Sequence, residues 1–125
     1  MDSNNQFTKQ KYINLETFRR NGEGVKTPVW FVEDEAYLYV TTEAASGKAK
    51  RIRNNRKVNV APCKMDGKLA GAWVPAEACE LTDPMDLLRV NSLFNKKYGL
   101  LKKIFDGQRS HRGVKDMVME IKFPG

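Results

Sequence analysis

Residues 25–42 narrow the possible folds more than any other part of the sequence, because they read as two β-strands joined by a charged turn. Residues 25–32 (VKTPVWFV) and 37–42 (YLYVTT) are rich in β-branched and aromatic side chains, which favour strands. The acidic residues 33–35 lie between them and predict a hairpin turn. Pro28 has no backbone N–H, so we expect it at a bulge or on a strand side that faces no neighbour.

Three further segments read as strands. Residues 57–62 alternate valine with polar residues, and residues 70–81 follow after a turn at Asp66-Gly67. Residues 117–123 form the last predicted strand, in which four apolar side chains share one face: Met117, Met119, Ile121 and Phe123. The first 18 residues have a mixed pattern that assigns them to neither strand nor helix.

Two helices are predicted between the strands. A short one covers residues 47–54. A longer one begins at Asp83-Pro84, a capping residue followed by a proline suited to the first turn, and ends near Gly99. Its expected buried side chains are Leu87, Leu88, Val90, Leu93 and Phe94. A basic, partly helical stretch is expected afterwards, with Lys102, Lys103, Arg109 and Arg112.

These elements predict one domain over residues 1–125, of the α+β class and mainly β. Antiparallel hairpins with helices inserted between them favour a small barrel whose helices pack at its ends. A chain of 125 residues is long enough for one hydrophobic core but not for two. No internal repeat or linker divides it.

Composition excludes several classes of protein. No stretch approaches the roughly 20 apolar residues of a membrane span, and the polar N-terminus does not resemble a secretory signal. We therefore expect a cytoplasmic protein without a membrane partner. Cys63 and Cys79 are isolated and His111 is the single histidine, so no metal site is predicted. Motifs for an activated nucleophile or for a dinucleotide-binding loop are also absent.

Positive charge is concentrated in one segment. The formal net charge is +7, and residues 44–65 contain seven basic residues and no acidic one. Within it, residues 46–55 read SGKAKRIRNN. Small residues let a backbone approach a ligand, helix N–H groups point outward and lysines add charge, so the segment suits a phosphate group. A basic face exposed to solvent is the alternative interpretation.

The strands and the basic segment together resemble a known family. The matching pieces are residues 25–31 (VKTPVWF), 37–42, 46–55, 61–63 (APC) and 97–99 (KYG). Their order and spacing are similar to those of the pyridoxamine 5′-phosphate oxidase-like superfamily. The similarity is greatest to its short members, described as coenzyme F420-dependent oxidoreductases. It covers about residues 10–100.

The resemblance implies a split barrel of about six antiparallel strands that forms a homodimer, with two cofactor sites between the subunits. The cofactor would be FMN or F420. Main-chain groups of one strand would contact the ring system, at Lys26, Thr27, Pro28, Val29 and Trp30. The phosphate would be held by residues at and before the basic helix, namely Thr41, Thr42, Ser46, Gly47, Lys48 and Arg51, with Lys48 as the principal ligand.

Two aromatic residues have different expected roles. The Trp30 side chain is of the kind that packs in a core. Trp73 follows the small residues Gly71 and Ala72, which suit close approach by a planar ring or by another subunit, so it is a candidate for stacking on the cofactor.

Three function classes remain open. The first is a flavin- or deazaflavin-dependent oxidoreductase that transfers hydride to a small unsaturated substrate, with no catalytic residue identified. The second is a carrier or sensor of the same cofactor without turnover. Nucleic-acid binding by the basic face ranks last, because no recognition motif or aromatic-lined groove is evident.

Overall fold

The computed structural model describes residues 6–99 and 116–124. This part of the chain contains seven strands and two helices. In chain order they are β1 (Tyr12–Phe18), β2 (Gly24–Trp30), β3 (Val32–Asp34), β4 (Tyr37–Glu43), α1 (Gly47–Asn54), β5 (Lys57–Cys63), β6 (Val74–Leu81), α2 (Pro84–Tyr98) and β7 (Asp116–Lys122).

The strands form one antiparallel sheet in the order β2-β1-β5-β6-β7-β4-β3. The two edge strands, β2 and β3, are consecutive in the chain and are separated only by Phe31. This connection requires the sheet to curl until its edges meet. The result is a barrel that is split where β2 approaches β4 without a ladder between them. The predicted α+β split barrel is confirmed.

The core fills the inside of the curled sheet. Side chains of β1 point alternately into and out of the barrel. Ile13 and Leu15 point inward, and both are fully buried. Helix α1 closes one end of the barrel, because Ala49 and Ile52 pack into the same core. The predicted apolar face of the last strand is confirmed, with Met117, Met119 and Ile121 buried there.

Helix α2 packs on the outside of the sheet. Its Val90 and Phe94 form a second cluster with Val32 of β3 and Tyr39 of β4. Asp83 caps the helix by accepting a hydrogen bond from the N–H of Met85 at 2.9 Å, as its sequence position predicted.

One predicted core residue of α2 is exposed. Leu88 was expected on the buried face, but its side chain is 65% exposed. The helix contacts the sheet along a narrow stripe centred on Val90 and Phe94, and Leu88 lies outside that stripe.

The first predicted strand is divided. Residues 25–30 belong to β2 and Val32 begins β3. The strands are separate because Phe31 turns its side chain into the core and its backbone bonds to Tyr98 instead of to a strand. This division, together with the unassigned β1, raises the five strands read from the sequence pattern to seven, against the six or so that the resemblance implied. Pro28 lies on the edge strand β2, where a missing N–H costs least, as predicted.

The strand predicted at residues 70–81 begins only at Val74. Residues before it belong to a loop that returns over β5, where Leu69 makes a single bridge to Cys63. The expected basic, partly helical stretch with Lys102, Lys103, Arg109 and Arg112 falls outside the described residues, as does His111. In the part described, no helix is both long and apolar enough to cross a membrane.

Candidate functional site

The start of α1 presents hydroxyl groups and backbone N–H groups at one end of the barrel. Ser46 is the N-cap: its Oγ accepts a hydrogen bond from the N–H of Ala49 at 3.2 Å. The Oγ1 of Thr42, at the end of β4, lies 3.4 Å from the same oxygen. The first turn of α1 contains no acidic side chain. The helix start therefore combines donors and hydroxyls without a competing carboxylate.

Arg51 folds back over this helix start. Its Nε donates a hydrogen bond of 2.6 Å to Oγ1 of Thr17 on β1. A Cβ atom placed on Gly47 would lie 2.7 Å from Nη1 of Arg51, so the guanidinium occupies the space above that glycine. Burial lowers the pKa of Arg51 from its usual value, and the nearby positive charge of Arg19 lowers it further.

Lys48 lies in the first turn of α1 and is half-buried. Lys48 has an interaction with another part of the protein. Thr41 was expected beside it, but alternation along β4 directs Thr41 to the opposite face of the strand from Thr42. The structure therefore brings together Thr42, Ser46, Gly47, Lys48 and Arg51, and leaves the Thr41 hydroxyl on the other face.

A second group of predicted residues lies on the outer face beside β2. The ammonium of Lys26 is 5.3 Å from the centre of the Trp73 ring, a cation–π distance. In β2, Thr27 pairs with Leu15 and Val29 packs against the core, so both side chains face inward. Only backbone groups of these two residues are placed to meet a ligand at the sheet edge.

The two groups lie at the same end of the sheet. Thr17, which holds Arg51, pairs with Val25, the residue before Lys26. An open groove of about 710 Å³ runs from β1 over β5, β6 and β7 on the outer surface, with Phe18, Asn59, Pro75 and Lys122 among its lining residues. Asn59 is connected to the β2 side through a 3.0 Å hydrogen bond from its Nδ2 to Glu16, which pairs with Lys26.

The backbone of Phe31 is held by the last turn of α2. The Tyr98 hydroxyl accepts from the Phe31 N–H at 3.0 Å and lies 2.7 Å from the carbonyl oxygens of Phe31 and Lys11. Lys97 Nζ donates to the Phe31 carbonyl at 2.9 Å and lies 3.7 Å from the centre of its ring. Burial lowers the pKa of Lys97 to about 8, although Glu33 opposes that shift.

Sequence reasoning missed two residues on β1. Thr17 is fully buried and positions Arg51. Asn14 is 7% exposed; its Nδ2 donates to the Gly67 carbonyl at 3.2 Å, while its Oδ1 has no hydrogen-bond partner in the described residues. Alternation of Ile13, Leu15 and Thr17 was the available signal, but the aromatic residues Tyr12 and Phe18 lie on the opposite face and obscured it.

Comparison with solved structures identifies the fold. A candidate pyridoxamine 5′-phosphate oxidase from Listeria innocua superposes with a TM-score of 0.67 at 15% identity, over 94% of this chain and 86% of that one. HutZ, the heme storage protein of Vibrio cholerae, gives 0.74 at 15% identity, over 98% and 87%. An F420-H2 dependent reductase, FDR-A, gives 0.64 at 13% identity, over 90% and 94%.

The protein has the pyridoxamine 5′-phosphate oxidase-like split-barrel fold. No protein-family model matches the sequence, and no relative is found among curated proteins. These structural neighbours are described in different ways, as a candidate pyridoxamine 5′-phosphate oxidase, as an F420-H2 dependent reductase and as a heme storage protein. Function must therefore be argued from the residues of the site. In the described part of the chain, no group of His, Cys, Asp and Glu side chains is arranged for a metal ion.

Proposed function

We propose that this split barrel binds a phosphorylated flavin or deazaflavin, FMN or F420, and uses it to transfer hydride to a small unsaturated substrate. The observation that supports this best is the arrangement at the start of α1. Two hydroxyls, on Thr42 and Ser46, lie 3.4 Å apart, and the guanidinium of Arg51 covers Gly47 beside them.

These residues fit a phosphate group chemically. Hydroxyls and the helix N–H groups donate hydrogen bonds to phosphate oxygens, and the guanidinium adds two parallel donors with charge. Lys48, in the same turn, adds a second positive charge. Each charge-assisted contact of this kind contributes about 1.5–3 kcal/mol. A carboxylate in the first turn would repel the ligand, and α1 has none there.

The edge strand β2 is the proposed contact for the ring system. It has a strand neighbour only on the β1 side in the described sheet, so its other edge offers backbone donors and acceptors. Lys26 and Trp73 form the adjacent wall on the outer face. Trp73 would stack on the planar ring and Lys26 would place positive charge beside it. The Trp30 side chain, by contrast, stacks on Tyr98 and contributes structure.

The chemistry would be divided between cofactor and protein. A bound flavin or deazaflavin supplies hydride transfer, and the protein orients the ring and excludes water. None of the residues gathered at α1 or β2 is assigned as a general acid, so the proton is proposed to come from solvent. We further propose that two copies of the chain form a homodimer and that each cofactor lies between them.

A carrier or sensor without turnover is the second candidate. HutZ, which has the same fold, is described as a heme storage protein. The fold therefore also occurs in a protein whose described role is storage. The two candidates share the phosphate site and differ in whether the bound cofactor passes electrons on. Binding without oxidation or reduction by any tested partner would favour the carrier.

An absorption spectrum of protein reconstituted with each cofactor tests the proposal. Bound oxidised FMN absorbs at about 450 nm and a deazaflavin at about 420 nm. The Lys48→Ala variant should bind the preferred cofactor more weakly, and a change of less than about twofold would remove Lys48 from the site. Failure of both cofactors to bind would overturn the proposed function.

Assembly provides an independent test. Sedimentation of the reconstituted protein should give the mass of two chains. A monomer that binds cofactor with full affinity would contradict the shared site while leaving the phosphate contacts intact.

A further inference from the structure

An open cavity of about 390 Å³ lies between helix α2, strand β3 and the residues that precede β1. Its wall combines apolar and charged side chains: Phe7, Lys9, Val32, Glu33, Leu93, Lys96 and Lys97. None of these residues belongs to the proposed cofactor site. Phe7 and Val32 are buried, whereas the three lysines are exposed residues. The cavity therefore has an apolar base and basic side chains where it meets solvent.

The amine of Lys97 is held at a defined place in this wall. Its Nζ donates a hydrogen bond of 2.9 Å to the Phe31 carbonyl and lies 3.7 Å from the centre of the Phe31 ring. Phe31 is fully buried, so both contacts come from a fixed part of the core. Within the described ranges, no carboxylate forms an ion pair with Lys97. The amine is thus positioned by a neutral acceptor.

These surroundings leave much of the Lys97 amine unprotonated near neutral pH. Burial lowers the pKa of Lys97 to about 8, although the charge of Glu33 opposes the shift. About half of the amine is therefore neutral at pH 8, compared with less than about 1 in 100 for a lysine of ordinary pKa. Only the neutral amine has the lone pair that attacks a carbonyl carbon, and lysines in such surroundings form Schiff bases.

The other charges of the wall indicate which carbonyl compound would fit. Lys9 and Lys96 add two positive charges, and Glu33 supplies the one carboxylate among the lining residues. The Thr8 hydroxyl donates to that carboxylate at 3.3 Å. A lining with more cations than anions attracts a phosphate or carboxylate group. The volume is near the lower end of the range for small-molecule sites, so the compound would be small.

We propose that Lys97 is the nucleophile of a second site, which binds a small aldehyde or ketone carrying an anionic group as a reversible imine. The Nζ lone pair forms a bond to the carbonyl carbon, and the carbonyl oxygen takes up a proton to give a carbinolamine. The nitrogen then loses its protons, the C–O bond breaks and the oxygen leaves as water. No electrons are exchanged with another reactant. Lys9 and Lys96 would hold the anionic group.

Trapping of the imine tests the nucleophile. Full-length protein is treated with glycolaldehyde phosphate and sodium cyanoborohydride at pH 7.5, and modified lysines are quantified by peptide mass spectrometry. Lys97 should be modified about 10-fold or more faster than Lys68, an exposed lysine outside the cavity. Its rate should level off above about pH 9, while that of Lys68 continues to rise. Lys97→Arg keeps a charged donor for the Phe31 carbonyl and should show no compensating modification of Lys96.

A matched pair of reagents tests the anionic group. Glycolaldehyde lacks the phosphate of glycolaldehyde phosphate, and the Lys97-to-Lys68 ratio should be about 3- to 10-fold lower with it. Glyoxylate, which carries a carboxylate, should give a ratio closer to that of the phosphate compound. Combined replacement of Lys9 and Lys96 by methionine should remove the difference between glycolaldehyde and its phosphate. Both positions are exposed, so the variant should fold.

Each result bears directly on this inference. Modification of Lys97 no faster than of Lys68 would overturn it, because the amine would then behave as an ordinary surface lysine. Equal ratios with glycolaldehyde and its phosphate would overturn the assignment of an anionic ligand. Binding of FMN or F420, or its failure, changes neither outcome, since the cavity and the proposed cofactor site have no residue in common.

Discussion

The indole ring of Trp30 stacks on the phenol ring of Tyr98, with centroids 4.3 Å apart and planes inclined by 10°. Trp30 ends β2 and Tyr98 ends α2, so the contact joins the sheet edge to the outer helix. The Tyr98 hydroxyl also accepts a hydrogen bond from the backbone N–H of Phe31, the residue between the two edge strands. The proposed ring contact on β2 is thus held in position by the last turn of α2.

Tyr98→Phe should destabilise the protein by about 1–3 kcal/mol, because the Phe31 N–H loses its acceptor in a buried position. The measurement is urea unfolding followed by circular dichroism. Tyr37→Phe is the control, since the Tyr37 hydroxyl has no hydrogen bond in the described residues, and it should unfold within about 0.5 kcal/mol of wild type. Equal stability of wild type and Tyr98→Phe would contradict the structural role of this hydroxyl.

Stability should rise between pH 8 and pH 10 because of Lys97. Burial lowers its pKa in the folded protein to about 8, below the ordinary value of 10.5 that applies in the unfolded chain. Across this window the unfolded state holds the extra proton, so raising the pH favours folding. Below pH 8 both states are protonated and the penalty for burying the charge is fully present. Above pH 10 Tyr98 acts in the opposite direction, because burial raises its pKa.

Denaturant midpoints of wild type and Lys97→Met at several pH values test this prediction. The wild-type free energy of unfolding should increase relative to that of the variant from pH 8 to pH 10. A difference that is constant across the window would show that Lys97 titrates at its ordinary pKa.

Ser46→Ala should cost about 1 kcal/mol of stability, because Ser46 Oγ accepts the Ala49 N–H at the start of α1. It should also weaken binding of FMN or F420, since the same hydroxyl lies beside the proposed phosphate. Ser92→Ala, at an exposed position within α2, is the matched control and should change neither property. Thermal unfolding and ligand titration measure the two effects. Loss of stability without loss of affinity would restrict Ser46 to capping.

Cofactor binding should quench the fluorescence of Trp73 and leave that of Trp30 nearly unchanged. Trp73 lies on the outer face beside Lys26, whereas Trp30 is stacked on Tyr98. Titration of Trp30→Phe protein should therefore retain the quenching seen in wild type, and Trp73→Phe protein should lose most of it. Quenching confined to Trp30 would place the ring on the other side of β2.

The elements that could be predicted from sequence are those specified by local chemistry. The range of α1 agrees with its prediction because Ser46 caps the first turn, and α2 begins at Pro84 because Asp83 caps it. The edge position of Pro28 also follows from a property of one residue, its missing N–H. Trp30 packs by its side chain, as expected.

The features that escaped prediction depend on distant parts of the chain. Strand β1 was missed because Tyr12 and Phe18 interrupt the alternation of Ile13, Leu15 and Thr17. The burial of Asn14 under the loop that contains Gly67 depends on a distant segment and has no local signal. The hydrogen bond between Arg51 and Thr17 spans 34 residues, and its anchor lies in that unassigned strand. Leu88 was misplaced because periodicity locates a helix face but not the width of the surface it meets.

Strands β2 and β3 stand at opposite margins of the sheet, yet a single residue spans them. The width of the opening between these two edge strands is therefore set by the one-residue connection at Phe31, because β2 and β3 are not paired with each other. Insertion of one or two residues after Phe31 would widen the cleft while leaving every strand pairing in register. The width of the opening can in this way change while the seven-stranded sheet is kept.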